Sequence, residues 1–289
     1  MHYGHGEILC GEVDYTAVEN MWYYYALTSV YKMAETLGYE EDIIDLKEQV
    51  DIVNKSLNKN LWKDDGYRSY EKEFFDVRAN TVAVLSGLAD SSKYEKIYDI
   101  LLNSKDNSTF MEYYILEAMI KIGNIEDVEN RIKTRYKDMV SDTDYSSTLW
   151  EYWDKNVGSK NHPWSGGPLV IMSKYFAGIE PLKPGYEEIL IKPRVTSLNE
   201  IEAKTNTKQG LVSVSINKES DKLNININVP TKTLIAVEKV TDNPLITVNN
   251  KKIYVDGKIK NRFGIKVDSE DDDYIYVYVN KGEYKIESK

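Results

Sequence analysis

Near Gly178 the spacing of apolar residues changes period, and no single layer of secondary structure can serve both sides of that point. Upstream the period is helical. Residues 15–37 carry Val18, Met21, Trp22, Tyr25, Val30, Met33 and Leu37 close to i, i+3, i+4 spacing, and Gly38 comes next as a stop. Residues 41–61, 75–88, 93–102, 110–122, 127–140 and 168–176 read the same way, which makes about seven helices joined by turns. Ser92 is the expected cap of the fourth, and Gly87, Gly123 and Gly178 punctuate the series. Neighbours joined by short turns pack as antiparallel hairpins. The loops at 62–74 and 141–164 are longer and aromatic, and function collects on such loops of a rigid scaffold.

Downstream the period is two. Residues 189–191, 210–216, 222–229, 233–240, 274–279 and 283–286 alternate apolar and polar. Residues 218–221 and 280–282 read as hairpin turns, and residues 180–185 as a linker. The expected organisation is therefore a helical-hairpin domain over residues 1–178 and an antiparallel β-sandwich over 179–289.

Composition removes several classes of function. The formal net charge is −10 with no basic stripe, so neither nucleic acid nor an anionic membrane is an expected partner. No apolar run approaches membrane-spanning length, and the first residues lack the pattern of a signal peptide, so a cytoplasmic address is expected. One cysteine, Cys10, rules out an intramolecular disulfide framework and a cysteine-based zinc site. The acidic run at 268–273 lacks the glycine and glutamate of a calcium loop and reads as a solvated turn, so no metal or cofactor is expected.

The densest chemistry lies in residues 146–168, where Trp150, Trp153 and Trp164 surround one carboxylate, Glu151, and one imidazole, His162. Indole rings stack on sugar C–H faces and exclude water, which raises a carboxyl pKa toward the range of an acid or base. His162 can bond a sugar hydroxyl or orient the carboxylate, and Gly166-Gly167 permits close backbone approach. Asp144, Tyr145 and Asp154 are weaker candidates nearby. Aromatics with a carboxylate, an imidazole and no metal set point to glycosidic chemistry. On local pattern alone, a core role for the tryptophans and a solvated Glu151 stay open.

The run Ser147-Thr-Leu-Trp-Glu-Tyr-Trp-Asp154, then Asn161-His162, Trp164-Ser-Gly-Gly-Pro168, the stretch 175–185 and Ile191-Lys-Pro193 together resemble the bacterial α-L-rhamnosidases. Arg78-Ala-Asn80 with Leu85-Ser-Gly-Leu88, the helix at 110–123 and Val229-Pro230-Thr231 are similar to further segments of that family, so the resemblance covers nearly the whole chain. It implies an (α/α)6 toroid followed by a β-domain, and inverting hydrolysis of terminal α-L-rhamnosides. In that reaction an acid protonates the leaving oxygen while a carboxylate roughly 6.5–9.5 Å away activates water. By position Glu151 is the implied general base, His162 a ligand of sugar hydroxyls, and Trp150, Trp153 and Trp164 pocket walls.

The pattern is incomplete. Six hairpins call for about twelve helices, against about seven read here. No run matches the family's general-acid segment, and residues 11–16 resemble the stretch just downstream of that segment. The expectation is thus an incomplete (α/α)6 toroid followed by an antiparallel β-sandwich, a C-terminal portion with the base side and without the acid side. Glu7, Glu12 and Asp14 could be drafted as a substitute acid, but acids before a helix read first as caps or solvated charge. Weak or no hydrolysis of rhamnose-containing carbohydrate by the chain alone is expected, with a non-catalytic carbohydrate-binding or scaffold module as the alternative. A different (α/α)6 enzyme such as a polysaccharide lyase would want basic residues for an acidic sugar, which the acidic balance disfavours. A half-toroid exposes apolar faces, so a homodimer covering the open face is expected.

Overall fold

A computed structural model describes residues 11–144, 147–262 and 264–289. Glu7, Cys10 and Tyr145 lie outside the described residues. The chain divides into two compact units, one up to Pro168 and the other from Leu169 to Lys289.

In the first unit, helix α1 (Tyr15–Leu37) starts at Asp14, whose carboxylate accepts the Ala17 N–H, and stops at Gly38 with φ 74°. Its buried stripe is Ala17, Met21, Tyr24, Leu27, Thr28 and Ala34. Val30, Met33 and Leu37, part of the stripe read from sequence, are 47%, 56% and 66% exposed. The helix is apolar on two faces and buries one, against α2 (Glu40–Leu61) and α3 (Val77–Ser86). Helix α3 is short and buried on nearly every side, which explains its run of Val and Ala. It packs on α1, α4 (Tyr94–Asn103) and α5 (Thr109–Ile122).

Two helix ends differ from the sequence reading. The cap before α4 is Asp90, which accepts the Ser92 N–H, and Ser92 itself sits in a short 3-10 turn. The helix expected at 127–140 begins earlier, as α6 (Ile125–Arg135), because Asn124 caps Glu126, and it breaks at Tyr136 before α7 (Lys137–Ser141).

Arg78-Ala-Asn80 is the unit's polar hub. Asp76 accepts from the Asp14 N–H at 2.9 Å and from Arg78 Nε at 2.7 Å. Asn80 bonds both the N–H (2.8 Å) and the C=O (3.0 Å) of Tyr67, so the long 62–74 loop is tied to α3.

The boundary falls within α8 (Gly167–Ile171), which is followed by a π-helical turn (Met172–Phe176) where one regular helix was expected. Gly178 comes next at φ 74°, and a Cβ there would lie 2.1 Å from the Lys192 carbonyl carbon. Only glycine permits that approach. Two sheets then face each other. One is ordered β1 (Ile179–Pro181), β2 (Ile189–Ile191), β6 (Thr233–Glu238), β11 (Tyr274–Val279), β10 (Ile265–Glu270). The other is ordered β3 (Glu200–Thr207), β4 (Gly210–Glu219), β5 (Lys222–Val229), β12 (Gly282–Ser288), β7 (Ile246–Val248), β8 (Lys251–Val255), β9 (Lys258–Ile259). The alternating strands β4, β5, β6, β11 and β12 supply inward Val, Ile and Leu to one core.

The pairing is antiparallel except that β2 runs parallel to β6. The turn at 218–221 is a hairpin, as read. Residues 280–282 are not: β11 pairs with β6 and β12 with β5 and β7, so the chain crosses there from one sheet to the other. The acidic run at 268–273 divides between strand β10 and the turn after it, where Asp271 accepts the N–H groups of Asp273 and Tyr274. Among the described residues no group of three His, Cys, Asp or Glu could hold a metal, and no helix is long and apolar enough to cross a membrane.

Candidate functional site

The loop 147–166 has little regular secondary structure, yet most of its turns are pinned. The Glu151 N–H donates to the Ser159 carbonyl at 2.9 Å and the His162 N–H to the Leu149 carbonyl at 2.9 Å. The Trp164 indole donates to the Glu151 carbonyl at 2.9 Å, and the Thr109 hydroxyl at the start of α5 donates to the same oxygen. Ser165 donates to the Trp150 carbonyl and Thr148 to that of Lys160. The Trp153 indole reaches the Asn107 carbonyl at 2.7 Å.

The Asn107 side chain in turn belongs to a buried ion cluster. Glu112 takes Arg131 Nε at 2.6 Å and the Asn107 amide at 2.7 Å, while Arg135 donates to Asn107 Oδ1 at 3.0 Å. Arg135 lies over the Trp153 ring at 4.1 Å. These ties fix the loop to α5 and α6.

The Glu151 side chain is half-exposed. Its Oε2 accepts the Ser159 N–H at 2.9 Å and the Ser159 hydroxyl at 3.0 Å. A Cβ at Gly158, φ 68°, would come within 2.8 Å of that oxygen, so glycine clears its place. The backbone bond from Ser159 is the main reason the Glu151 carboxyl is held below the usual glutamate range. The Ser159 hydroxyl, the charge of His162 and a bond from Tyr152 add to it against a smaller desolvation. This corrects the expectation that indole walls would raise it: donors to the charged form outweigh burial here.

His162 accepts the Trp164 N–H on Nδ1 at 3.3 Å, which leaves Nε2 for another partner. Its ring lies 4.1 Å from that of Trp164. Trp164 also meets Phe110 (5.9 Å) and Tyr152 (6.2 Å), and Phe110 continues to Tyr114 and Trp22. Glu151, His162 and Trp164 are therefore brought together. Trp150 is 3% exposed and Trp153 is occupied by Arg135 and Tyr136; both face a separate small pocket that does not include Glu151.

A Cβ at Gly167 would lie 2.9 Å from the Tyr113 Cβ, so glycine allows that close approach, whereas a Cβ at Gly166 would meet open space. Asp144 pairs with Lys155 at 3.1 Å and Asp154 caps Asn156 at 2.8 Å. Of the early acids, Asp14 is buried as a cap that also holds the Ser69 N–H, and Glu12 pairs with Lys72.

Sequence reasoning missed Ser159, Gly158, Tyr152 and Phe110. The signal for the first two was the Gly-Ser turn eight residues after the glutamate. The aromatics come from helix and loop positions that only packing joins. A concavity of about 890 Å³ lies on the β3-β4-β5-β12 face of the second unit and contains none of the residues expected at the site.

Fold and site together define a class: helical hairpins with a β-sandwich after them, presenting an ionised carboxylate among rings on a pinned loop. Residues 178–266 match the family described as bacterial alpha-L-rhamnosidase C-terminal domain. An alpha-L-rhamnosidase of Formosa agariphila is 23% identical over 96% of this chain and 31% of its own length. The alpha-L-rhamnosidase structure from Dictyoglumus thermophilum superposes with a TM-score of 0.78 at 22% identity, over 93% of this chain and 31% of that one. That of Streptomyces avermitilis alpha-L-rhamnosidase complexed with L-rhamnose gives 0.73 at 16% identity, over 93% and 26%. In sequence and fold the chain is similar to the C-terminal portion of α-L-rhamnosidases, and it spans less than a third of the length of these relatives.

Proposed function

We propose that this chain carries the general-base side of an inverting α-L-rhamnosidase site, with Glu151 as the base. The observation that carries the reading is an ionised, solvent-reaching carboxylate beside His162, Trp164 and Tyr152. In the proposed reaction Glu151 takes a proton from a water that attacks the anomeric carbon, His162 Nε2 donates to a sugar hydroxyl, and the Trp164 ring lies along the sugar. A carboxylate already charged at neutral pH suits a base; it does not suit the acid that must protonate the leaving oxygen on the opposite face.

Asp14 and Glu12 are engaged elsewhere, which supports a chain without its own acid. Losing an acid costs a factor of about 10² to 10⁴ in rate. The test is hydrolysis of nitrophenyl α-L-rhamnoside, whose phenolate leaves with least help, beside an alkyl rhamnoside. Slow aryl turnover that Glu151→Gln removes, with no alkyl turnover, is expected. Fast turnover of both, or activity indifferent to Glu151→Gln, contradicts the proposal. The engaged early acids also favour a second reading, a carbohydrate-binding module that holds rhamnose without cleaving it.

Self-association belongs to the same proposal. Val30, Met33 and Leu37 of α1 and Ile44 and Ile52 of α2 are all about half exposed or more, and they line two grooves of roughly 490 and 640 Å³. Apolar surface of that extent favours a second copy as cover.

A further inference from the structure

Trp150, next in the chain to Glu151, walls a pocket of about 200 Å³ together with Trp153, Arg135, Thr134, Lys105 and Asp138. The Trp150 side chain is 3% exposed, and its indole N–H has no acceptor. Arg135 spends its guanidinium on other groups: Nε lies 3.7 Å from Glu112 Oε2, and the other nitrogens reach the Lys105 carbonyl (3.1 Å) and Asn107 Oδ1 (3.0 Å). A buried donor left unmatched is destabilising, so the Trp150 indole on the wall of this pocket asks for an acceptor.

The charge balance asks for the same thing. Arg131 and Arg135 share one buried carboxylate, Glu112, at 2.6 and 3.7 Å. Desolvation above all disfavours the Arg135 charge, and Arg131 adds to this against the pull of Glu112. Lys105 adds a third cation at the pocket, and both it and Asp138, the one acid among the described residues lining it, are exposed to solvent. A single water, with a liquid share of about 30 Å³, would fill little of the space and none of the charge deficit.

We propose that this pocket binds a small oxyanion, a phosphate or carboxylate group, through the Trp150 indole N–H, the Arg135 guanidinium and Lys105. The site is separate from the Glu151 carboxylate. Its occupant braces the loop from behind, because Trp150 and Trp153 flank Glu151 in the chain.

The experiment adds inorganic phosphate, or acetate, to ¹⁵N-labelled protein at constant ionic strength set with chloride, and follows the Trp150 indole resonance and the melting temperature. Saturable movement of that resonance with a rise in melting temperature is expected. Response to phosphate alone, or to acetate as well, names which oxyanion fits. Trp150→Phe removes the unmatched donor, so it should bind the probe at least about tenfold more weakly, as should Lys105→Ala, which leaves the buried ring in place. An indole resonance unmoved at millimolar probe, or moved equally by chloride, overturns the proposal. So does undiminished binding by both variants.

Discussion

The Glu151 carboxylate receives two donors from one neighbour, Ser159, and that geometry decides which proton chemistry the side chain can do. A group whose folded pKa is lowered stays charged to lower pH than its free counterpart, and a process that depends on the charge fails as pH falls through the folded value. Sugar chemistry that needs the carboxylate should therefore persist below the ordinary glutamate range. Ser159→Ala removes the hydroxyl donor and leaves the backbone one, so the midpoint should rise part of the way back. A ¹³C NMR titration of the Glu151 carboxyl reads both values, and an unchanged midpoint in Ser159→Ala would show the hydroxyl to be idle. The aromatic surroundings of Glu151 pointed to an acid or a base, and only the family resemblance pointed to the base. The direction of its pKa was not, because the donor sits eight residues on and reaches it only through the turn at Gly158.

At the scale of elements, α5 and α6 hold the loop through Glu112, Arg131, Asn107 and Arg135. Glu112 is fully buried, and removing one partner of a buried pair strands the other charge. Glu112→Ala should cost about 3–5 kcal/mol in chemical denaturation. A loss near that of a surface substitution would show that the cluster is hydrated or dispensable.

Gly178→Ala should be destabilising by more than about 1 kcal/mol, because both its positive φ and the Lys192 carbonyl oppose a Cβ; thermal melting checks this. The helices and half of the twelve described strands were legible because their periodicity is strong. The early helix start at Ile125 and the crossing at 280–282 were not: the first depends on Asn124 as cap, and the second on which sheet receives β12. The ion cluster escaped too, since nothing in the spacing of Glu112 and Arg131 announces that they meet.

For the molecule as a whole, a face of α1 and α2 is apolar and open. The proposed second copy predicts a dimer by light scattering at micromolar concentration, and Leu37→Lys with Met33→Glu should return it to monomer and remove the dependence of its melting temperature on concentration. A parent protein that is already a clean monomer would contradict that part.

Recognition of the sugar underlies every catalytic role proposed for the 147–166 loop, and calorimetric titration with L-rhamnose tests it most directly. Saturable heat is expected from the parent protein, and Trp164→Ala should weaken binding by about 2 kcal/mol, the scale of a buried aromatic anchor. Glu151→Gln should bind while failing to turn over the nitrophenyl rhamnoside. No heat from the parent protein, or binding that Trp164→Ala leaves intact, would contradict the claim that this loop is a rhamnose site.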